Sequence, residues 1–162
     1  MSYDKYEHVG ITGSRHGMTD DQKCALAAKL EEMRDRDEVH TFHHGDCTGA
    51  DVEGAEIAYA LGFRIIAHPP DNPKFRAYHD SDEIREPKHY YDRNRDIVNE
   101  TGALFACPNA PESEGGGTWW TVRYAREVGA RYELISPQPL LLEERNGWDD
   151  YIWPGNHPAD PS

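Results

Sequence analysis

The sequence Ala103-Leu-Phe-Ala-Cys107, followed after a short loop by Gly115-Gly-Gly-Thr-Trp-Trp-Thr121, decides how the rest of the chain is interpreted. The five apolar residues are typical of a buried strand, and residues 118–128 have the pattern of a helix. Glycines between a strand and a helix let backbone N–H groups approach an anion without obstruction by Cβ atoms, and the helix dipole favours negative charge there. We therefore expect an anion site, with phosphate as the first candidate, at Gly115, Gly116, Gly117 and Thr118.

Strand-like runs alternate with helix-like segments along most of the chain. The predicted strands are 8–12, 39–43, 64–68, 103–107 and 132–135, and the predicted helices begin after Thr19 or cover 52–61, 88–101 and 118–128. Thr19 with Gln22 three residues later is a capping-box pattern. This alternation predicts an α/β fold in three layers, with a parallel sheet of about five strands and right-handed crossovers.

The glycine-containing loops follow the first, second and fourth predicted strands, so we expect them at one edge of the sheet, where parallel folds bind ligands. After the first strand, Gly13, Ser14 and Arg15 offer a backbone turn, a hydroxyl and a guanidinium, which suit a phosphate. A plain turn with a surface arginine is the alternative. The GxGxxG and P-loop spacings are missing, which argues against an ordinary dinucleotide dehydrogenase and a Walker-type ATPase.

The loop after the second strand contains Gly45, Asp46, Gly49 and Asp51. A tight turn with Asp51 capping the next helix would explain it. The functional alternative is that Asp46 or Asp51 hydrogen-bonds a ribose hydroxyl, and these two carboxylates are the candidate catalytic residues. Histidines at positions 40, 43 and 44 lie nearby, but neighbours on a strand face opposite sides, so we predict no metal site.

The third helix contains Arg93-Asn94-Arg95. Residues two apart on a helix diverge by about 200°, so only one arginine can face the ligand, and we choose Arg93, with Asn94 beside it. An exposed, charged turn is the alternative. Trp119 and Trp120 diverge by about 100°, so one can pack on the sheet while the other stacks on a base or fills a subunit contact. We place Trp119 in the ligand set.

The composition limits the partners. The formal charge is −13, with 30 acidic against 17 basic residues, which disfavours nucleic acid. Residues 1–8 contain no apolar segment of a signal peptide and no apolar run approaches ~18 residues, so we expect a cytoplasmic protein that does not enter the membrane. The three cysteines lack a paired spacing, which argues against disulfides and structural zinc, and we expect Cys24 and Cys107 to be buried.

Two stretches break the alternation. Residues 69–87 are rich in proline and mixed charge, and a connection of this length predicts a mobile flap over the site. Residues 138–162 are rich in proline and tryptophan and are expected to pack across the ligand-binding domain, residues 1–137, or on a partner subunit.

Together the motifs resemble those of the SLOG superfamily. The superfamily includes Lonely Guy phosphoribohydrolases, the DNA-processing protein A family, YpsA-like proteins and molybdenum cofactor carrier proteins. The resemblance spans residues 9–135 and rests on Gly13-Ser14-Arg15, the turn 45–51 leading into Glu53-Gly54-Ala55, Arg93-Asn94-Arg95 and Gly115-Gly116-Gly117-Thr118. It implies a Rossmann-like fold, a nucleotide or nucleotide-derived ligand as the only cofactor-like molecule, and a homo-oligomer.

The resemblance also discriminates between activities. Lonely Guy enzymes carry PGGxGTxxE, whose glutamate supports cleavage of an N-glycosidic bond, and here that position is Thr121. A threonine is no carboxylate acid or base, so hydrolysis of a nucleoside 5′-monophosphate would need Glu112, Glu114 or the Asp46 region as a substitute. The Gly-Gly-Gly-Thr-Trp form is closer to the YpsA-like and carrier branches. Binding is therefore the favoured function, and N-glycoside hydrolysis the alternative.

Overall fold

The computed structural model describes residues 3–138 and 151–152. Strands and helices alternate as the sequence predicts. The strands are β1 (His8–Gly13), β2 (Thr41–His44), β3 (Arg64–Ala67), β4 (Glu83–Ile84), β5 (Ala103–Cys107), β6 (Tyr132–Ile135) and β7 (Tyr151–Ile152). The helices are α1 (Asp20–Asp35), α2 (Ala50–Ala60), α3 (Tyr90–Glu100) and α4 (Gly117–Val128), with 3₁₀ turns at Lys5–Glu7 and Pro73–Phe75.

All strands pair in parallel in the order β4-β3-β2-β1-β5-β6-β7. The chain builds outward from β1 in one direction and then returns to place β5 on its other side. The gap between β1 and β5 is therefore the switch point at which parallel sheets collect ligands. The predicted α/β fold is confirmed, and two strands of two residues each, β4 and β7, extend the five predicted strands.

Both faces of the sheet are covered, which gives the three layers. Along β5, Phe105 and Cys107 pack in the cluster that includes α1 and α2. Ala106 packs against α4, and Leu104 packs with residues of α3 and α4. Alternate residues of a strand face opposite sides, so an apolar run of this kind is buried on both.

Helix α1 begins with the predicted capping box. The Thr19 hydroxyl accepts from the Gln22 N–H at 3.1 Å, and Gln22 Oε1 accepts from the Thr19 N–H at 3.0 Å. The prediction that Cys24 is buried is wrong, since it is exposed, whereas Cys107 is buried. The buried stripe of α1 runs through Gln22 and Leu26, and Cys24 lies two residues from each, about 200° away.

Helix α2 packs closely on the sheet through small residues. A Cβ atom on Gly54 would lie 2.7 Å from Ile11 Cδ1 and 3.2 Å from Phe42 Cζ, so only glycine fits there. The helix starts two residues earlier than predicted, with Gly49 at the N-cap at φ +93°. Asp51 therefore lies inside the first turn, and the prediction that it caps α2 is wrong.

The stretch 69–87 is more structured than its composition suggested. It contains the Pro73–Phe75 turn and β4, its Arg76 pairs with Cys47 in the loop after β2, and its Pro70 pairs with Lys88, the residue that follows the stretch. Contacts with β3 and with the loop after β2 supply the order that periodicity does not show. Its mobility stays a prediction.

The predicted C-terminal tail falls almost entirely outside the described residues. Only Tyr151–Ile152 is described, and it pairs with β6 as β7. Within residues 3–138 and 151–152, no helix combines the length and apolar character needed to cross a bilayer.

Candidate functional site

A cleft of about 650 Å³ lies at the carboxyl ends of β1 and β5. Most residues predicted to hold a ligand line it, and Asp46 and Gly49 do not. The predicted residues that meet at the cleft are Gly13, Ser14, Arg15, Gly45, Asp51, Arg93, Asn94, Gly115, Gly116, Gly117, Thr118 and Trp119. Three loops and helix α3, separated by up to about a hundred residues of sequence, thus form one cavity, and what they bind stays a prediction.

The loop after β1 is fixed between β5 and α2. The Ser14 N–H donates to Cys107 O at 3.2 Å, and the Ala50 N–H donates to Ser14 O at 2.9 Å. A Cβ atom on Gly13 would lie 2.5 Å from Ala50 Cβ, which explains the glycine. Gly49 has the same supporting role outside the cleft, because its Cα faces the Arg15 backbone.

Arg15 presents its guanidinium at the cleft on an aromatic support. Its Cζ lies 4.2 Å from the centre of the Phe75 ring, within cation–π range. Phe75 belongs to the stretch 69–87 and is held by a hydrogen bond from the Thr48 N–H to its carbonyl, 2.9 Å long. Arg15 is exposed, so its charge is available to a ligand.

Arg93 is the arginine of α3 that points inward, as helical spacing predicted. It is 5% exposed, and its Nη1 donates to Gly45 O and, at 3.1 Å, to His68 O. Arg95 instead lies 5.1 Å over the Trp120 ring on the outside. Because the guanidinium is engaged by backbone carbonyls, Arg93 fixes the loops after β2 and β3 and shapes the cleft wall.

The two candidate carboxylates differ in position. Asp51 lines the cleft and accepts from the Cys47 N–H at 3.3 Å. Burial raises the pKa of Asp51 to about 6, although Arg93 opposes the shift. An acid with this pKa exists in both protonation states near neutral pH, as an acid–base group requires.

Asp46 lies outside the cleft lining and is a structural residue of the loop. Its Oδ2 accepts from Arg76 Nε at 3.0 Å, and its Oδ1 accepts from the His79 N–H at 2.9 Å. It adopts φ +56°, a left-handed conformation that Asp tolerates better than most residues. The candidate role of Asp46 at a ribose therefore has no support in the geometry, since the carboxylate faces the stretch 69–87.

Helix α4 presents its N-terminus to the cleft. Its N-cap is Gly116 at φ +88°, and among the residues that the structure describes no side chain caps it and no acidic residue lies in its first turn. A Cβ atom on Gly117 would lie 3.5 Å from Tyr90 and 4.0 Å from Asn94 Nδ2. The N-terminus of α4 is therefore electropositive and has the amide donor of Asn94 beside it.

Thr121, at the position of the Lonely Guy glutamate, is buried inside α4. Its hydroxyl donates to Gly117 O at 2.7 Å, and it does not line the cleft. The possible substitutes are elsewhere too. Glu112 pairs with Arg126 at 3.0 Å, and Glu114 is exposed outside the cleft lining.

The two tryptophans divide as predicted, one on the sheet and one outside. Trp119 packs with Ala106 and Leu134 and donates from Nε1 to Ala110 O at 3.1 Å, so only part of it borders the cleft. Trp120 lies 4.3 Å from the Tyr91 ring, away from the sheet. The buried position of Trp119 leaves its ring little freedom to stack on a base.

Several cleft residues escaped sequence analysis. Those with functional groups or aromatic rings are His16, Asp71, Asn72, Phe75, Tyr90 and Asn109. Tyr90 is 38% exposed and begins α3 one turn before Arg93, so helical spacing could have indicated it. The residues from 71–75 belong to a stretch without periodicity and carry no such signal.

A second group that the sequence did not reveal is a row of three imidazoles on the other side of Arg93. His43 Nε2 lies 2.9 Å from His8 Nδ1, and His43 Nδ1 lies 2.8 Å from His68 Nε2. Burial lowers the pKa of His43 to about 2 and the pKa of His68 to about 3, so both rings are neutral. The prediction of no metal site considered His43 together with His40 and His44, which are near it in sequence. The sheet instead brings His43 beside residues of other elements.

Comparison with known proteins gives a fold but no sequence relative. No sequence-family profile and no curated protein matches the chain. The molybdenum cofactor binding protein of Rippkaea orientalis is similar in structure, with a TM-score of 0.63 and 19% identity over 94% of this chain and 90% of that one. For DNA processing protein A of Streptococcus pneumoniae the TM-score is 0.62, at 17% identity over 88% of this chain.

The present chain spans only 54% of the DNA processing protein A chain. The molybdenum cofactor carrier protein of Chlamydomonas reinhardtii matches with a TM-score of 0.57 and 15% identity, over 80% of this chain and 76% of that one. At these identities the likeness concerns the fold. The chain therefore has the Rossmann-like α/β fold of these proteins, as predicted.

Proposed function

We propose that the cleft binds a nucleotide or a nucleotide-derived small molecule. The observation that carries the proposal is the meeting of three sequence-distant loops and helix α3 in one cavity of about 650 Å³. This size falls within the range of about 300–1,000 Å³ of small-molecule sites. Two of the structurally similar proteins are described as binding or carrying the molybdenum cofactor, which is also a small molecule.

The charge distribution favours the phosphate at α4 rather than at α2. Both helices begin at the cleft with a glycine N-cap. The first turn of α2 already contains Asp51, which compensates the helix dipole and repels an anion, whereas Asn94 and the Gly115–Gly117 backbone surround the start of α4. The anionic group is therefore expected at α4, with Arg15 across the cleft.

Calorimetry with AMP, ADP-ribose, NAD and cyclic nucleotides tests the proposal. Arg15→Ala is expected to weaken the binding of whichever ligand binds about tenfold, since a charge-assisted hydrogen bond is lost. Arg131→Ala is the matched control, because Arg131 is exposed and, within the described part of the chain, its ion pair is with Glu133 at 3.6 Å. Folded protein that binds none of these ligands would contradict the proposal, and native mass spectrometry would reveal a copurified one.

Asp51 supports hydrolysis of a nucleoside 5′-monophosphate as a second candidate function. It is a cleft carboxyl with a pKa near neutrality, and the N-glycosidic bond needs a group of this kind to stabilise an oxocarbenium-like transition state. Chromatography of AMP or dCMP after incubation measures release of the free base. Release that Asp51→Asn abolishes would establish the activity, and no release at high protein concentration would exclude these substrates.

We also retain two further proposals. A homo-oligomer is testable by sedimentation velocity, in which a monomer at all concentrations would be the contrary result. A cytoplasmic location is testable by fractionation of the source cells.

A further inference from the structure

We propose that His43, His68 and Glu100 form a binding site for a divalent transition metal ion of the zinc type. One imidazole nitrogen of each histidine and one carboxylate oxygen of Glu100 lie within 4.8 Å of one another. The three residues come from the end of β2, the residue after β3 and the end of α3. Two imidazoles and a carboxylate, with a position left open, are a donor set that zinc uses.

The hydrogen bonds around His43 prepare it as a ligand. When His43 Nε2 donates to His8 Nδ1, 2.9 Å away, the lone pair of His43 Nδ1 points to His68. His8 then has the role of the outer partner that fixes the tautomer of a metal-bound histidine.

The geometry needs a small rearrangement for a metal to enter. His43 Nδ1 and His68 Nε2 are 2.8 Å apart, joined by a hydrogen bond. Two nitrogens at zinc bond lengths in a tetrahedral site lie about 3.3 Å apart. A metal therefore replaces the shared proton, which moves from Nε2 to Nδ1 of His68 so that this imidazole stays neutral, and separates the rings by about half an ångström.

The site has an entrance. A cavity of about 280 Å³ is lined by His68 and Glu100, with Glu86 and Asp96 also present. Glu100 pairs with Arg85 at 2.8 Å, and a metal would take the carboxylate from this arginine, which keeps its contact with Glu83. Arg85, Lys88 and Arg93 also line it, so the three carboxylates balance the charge of three cations.

An anion is the less suitable occupant of this cavity, because each cation there is engaged. Lys88 pairs with Asp96 at 2.6 Å, and Arg85 pairs with two carboxylates. Arg93 donates to backbone carbonyls. The neutral imidazoles, by contrast, offer lone pairs that a metal can use.

Metal titration of the whole protein, chelator-treated and without a histidine tag, tests the site. Cobalt(II) is expected to give the visible ligand-field absorption of a site with few ligands, at about one ion per chain, and zinc is expected to displace it. Zinc should also raise the unfolding temperature.

Glu100→Gln is the decisive variant, because Glu100 is partly exposed and its loss leaves the histidine row intact. We expect at least about tenfold weaker cobalt binding, and His68→Gln should abolish the absorption. His40→Ala is the control, since His40 lies before β2 with 52% of its side chain exposed, and it should bind cobalt as the wild type does. The proposal is wrong if the wild type shows no absorption, or if Glu100→Gln binds cobalt as tightly as His40→Ala. The nucleotide titrations do not depend on this result.

Discussion

Arg93 is a buried cation whose partners are backbone carbonyl oxygens rather than a carboxylate. Its hydrogen bonds to Gly45 and His68 tie the ends of β2 and β3 to α3. A buried, planar donor group that serves several acceptors at once has no substitute among the other side chains. The cleft wall therefore depends on a residue that lines the cleft and whose guanidinium also holds the neighbouring loops in place.

Arg93→Lys is expected to lower the free energy of unfolding by about 2–4 kcal/mol, because one ammonium group cannot reach both carbonyls and leaves one of them buried without a donor. Urea unfolding measures the loss. Arg95→Lys, on the same helix but outside, should change stability by less than about 0.5 kcal/mol. Equal effects of the two substitutions would contradict the positioning role of Arg93.

Asp51 should make stability depend on pH with a known sign. Its folded-state pKa of about 6 lies above the unfolded value of about 3.9, so ionisation favours the unfolded chain. Relative to Asp51→Asn, the wild type should be most stable below about pH 4 and lose up to about 3 kcal/mol as the pH rises through 6. Unfolding curves of both proteins across this range give the difference, and a difference independent of pH would refute the raised pKa.

Sequence reasoning succeeded at residues whose neighbours in sequence define their direction. Helical spacing alone distinguished Arg93 from Arg95. The predicted capping box between Thr19 and Gln22, three residues apart, is also confirmed. It failed at residues whose partners are distant in sequence. His68 and Glu100 lie beside His43 only because β2 and β3 pair and α3 crosses the same face. No local sequence pattern indicates that these residues are close.

At the scale of elements, the N-terminal ends of helices contribute backbone N–H groups to the cleft. Helices α2 and α4 both begin at the carboxyl edge of the sheet after a glycine with positive φ. This conformation turns the chain from the strand into the helix and brings backbone N–H groups towards the cleft. The bounds of β5 and β6 were predicted correctly because both are apolar runs between turn residues, whereas α2 starts earlier than predicted because Ala50 and Asp51 were assigned to the loop.

Gly115 and Gly116, at the start of α4, allow the effect of backbone strain to be distinguished from the effect of steric crowding. Gly116 has φ +88° and ψ 144°, a region that only glycine adopts readily, whereas Gly115 is not among the glycines with positive φ. A Cβ atom on either would meet no described atom within 4 Å. Gly116→Ala should cost about 1–3 kcal/mol of stability, and Gly115→Ala should leave stability unchanged. Unfolding curves compare the pair, and equal stability of the two variants would show that strain at Gly116 is not required.

Arg93 borders both the cleft and the cavity of the proposed metal site. The cleft lies at the β1–β5 switch point, and the proposed metal site is formed by His43 of β2, His68 after β3 and Glu100 of α3. The stretch 69–87 runs between these parts, lines the cleft with Phe75 and is tied to the loop after β2 through Asp46. The path of this stretch depends on contacts with elements far away in sequence. For this reason its composition predicted a mobile flap over the cleft rather than part of the cleft wall.

Arg76→Ala should loosen this wall. The substitution removes the 3.0 Å ion pair to the buried carboxylate of Asp46 and leaves it with the His79 N–H as its described donor. Hydrogen exchange of the Ala77 and His79 amides should become faster, because breaking one partner of a buried pair is costly. Lys74→Ala is the control in the same stretch. Fast exchange of both amides already in the wild type would favour the predicted mobile flap.

Gly54 determines how far the Asp51 carboxyl extends into the cleft. Asp51 lies one turn before Gly54 on α2, and the depth at which that helix lies on Ile11 and Phe42 is set by the missing methyl group. A side chain at position 54 would lift the helix and withdraw the Asp51 carboxyl from the cleft by the same displacement. The distance between this acid and a bound ligand is therefore controlled one turn further along the helix, by an atom that the protein does not have.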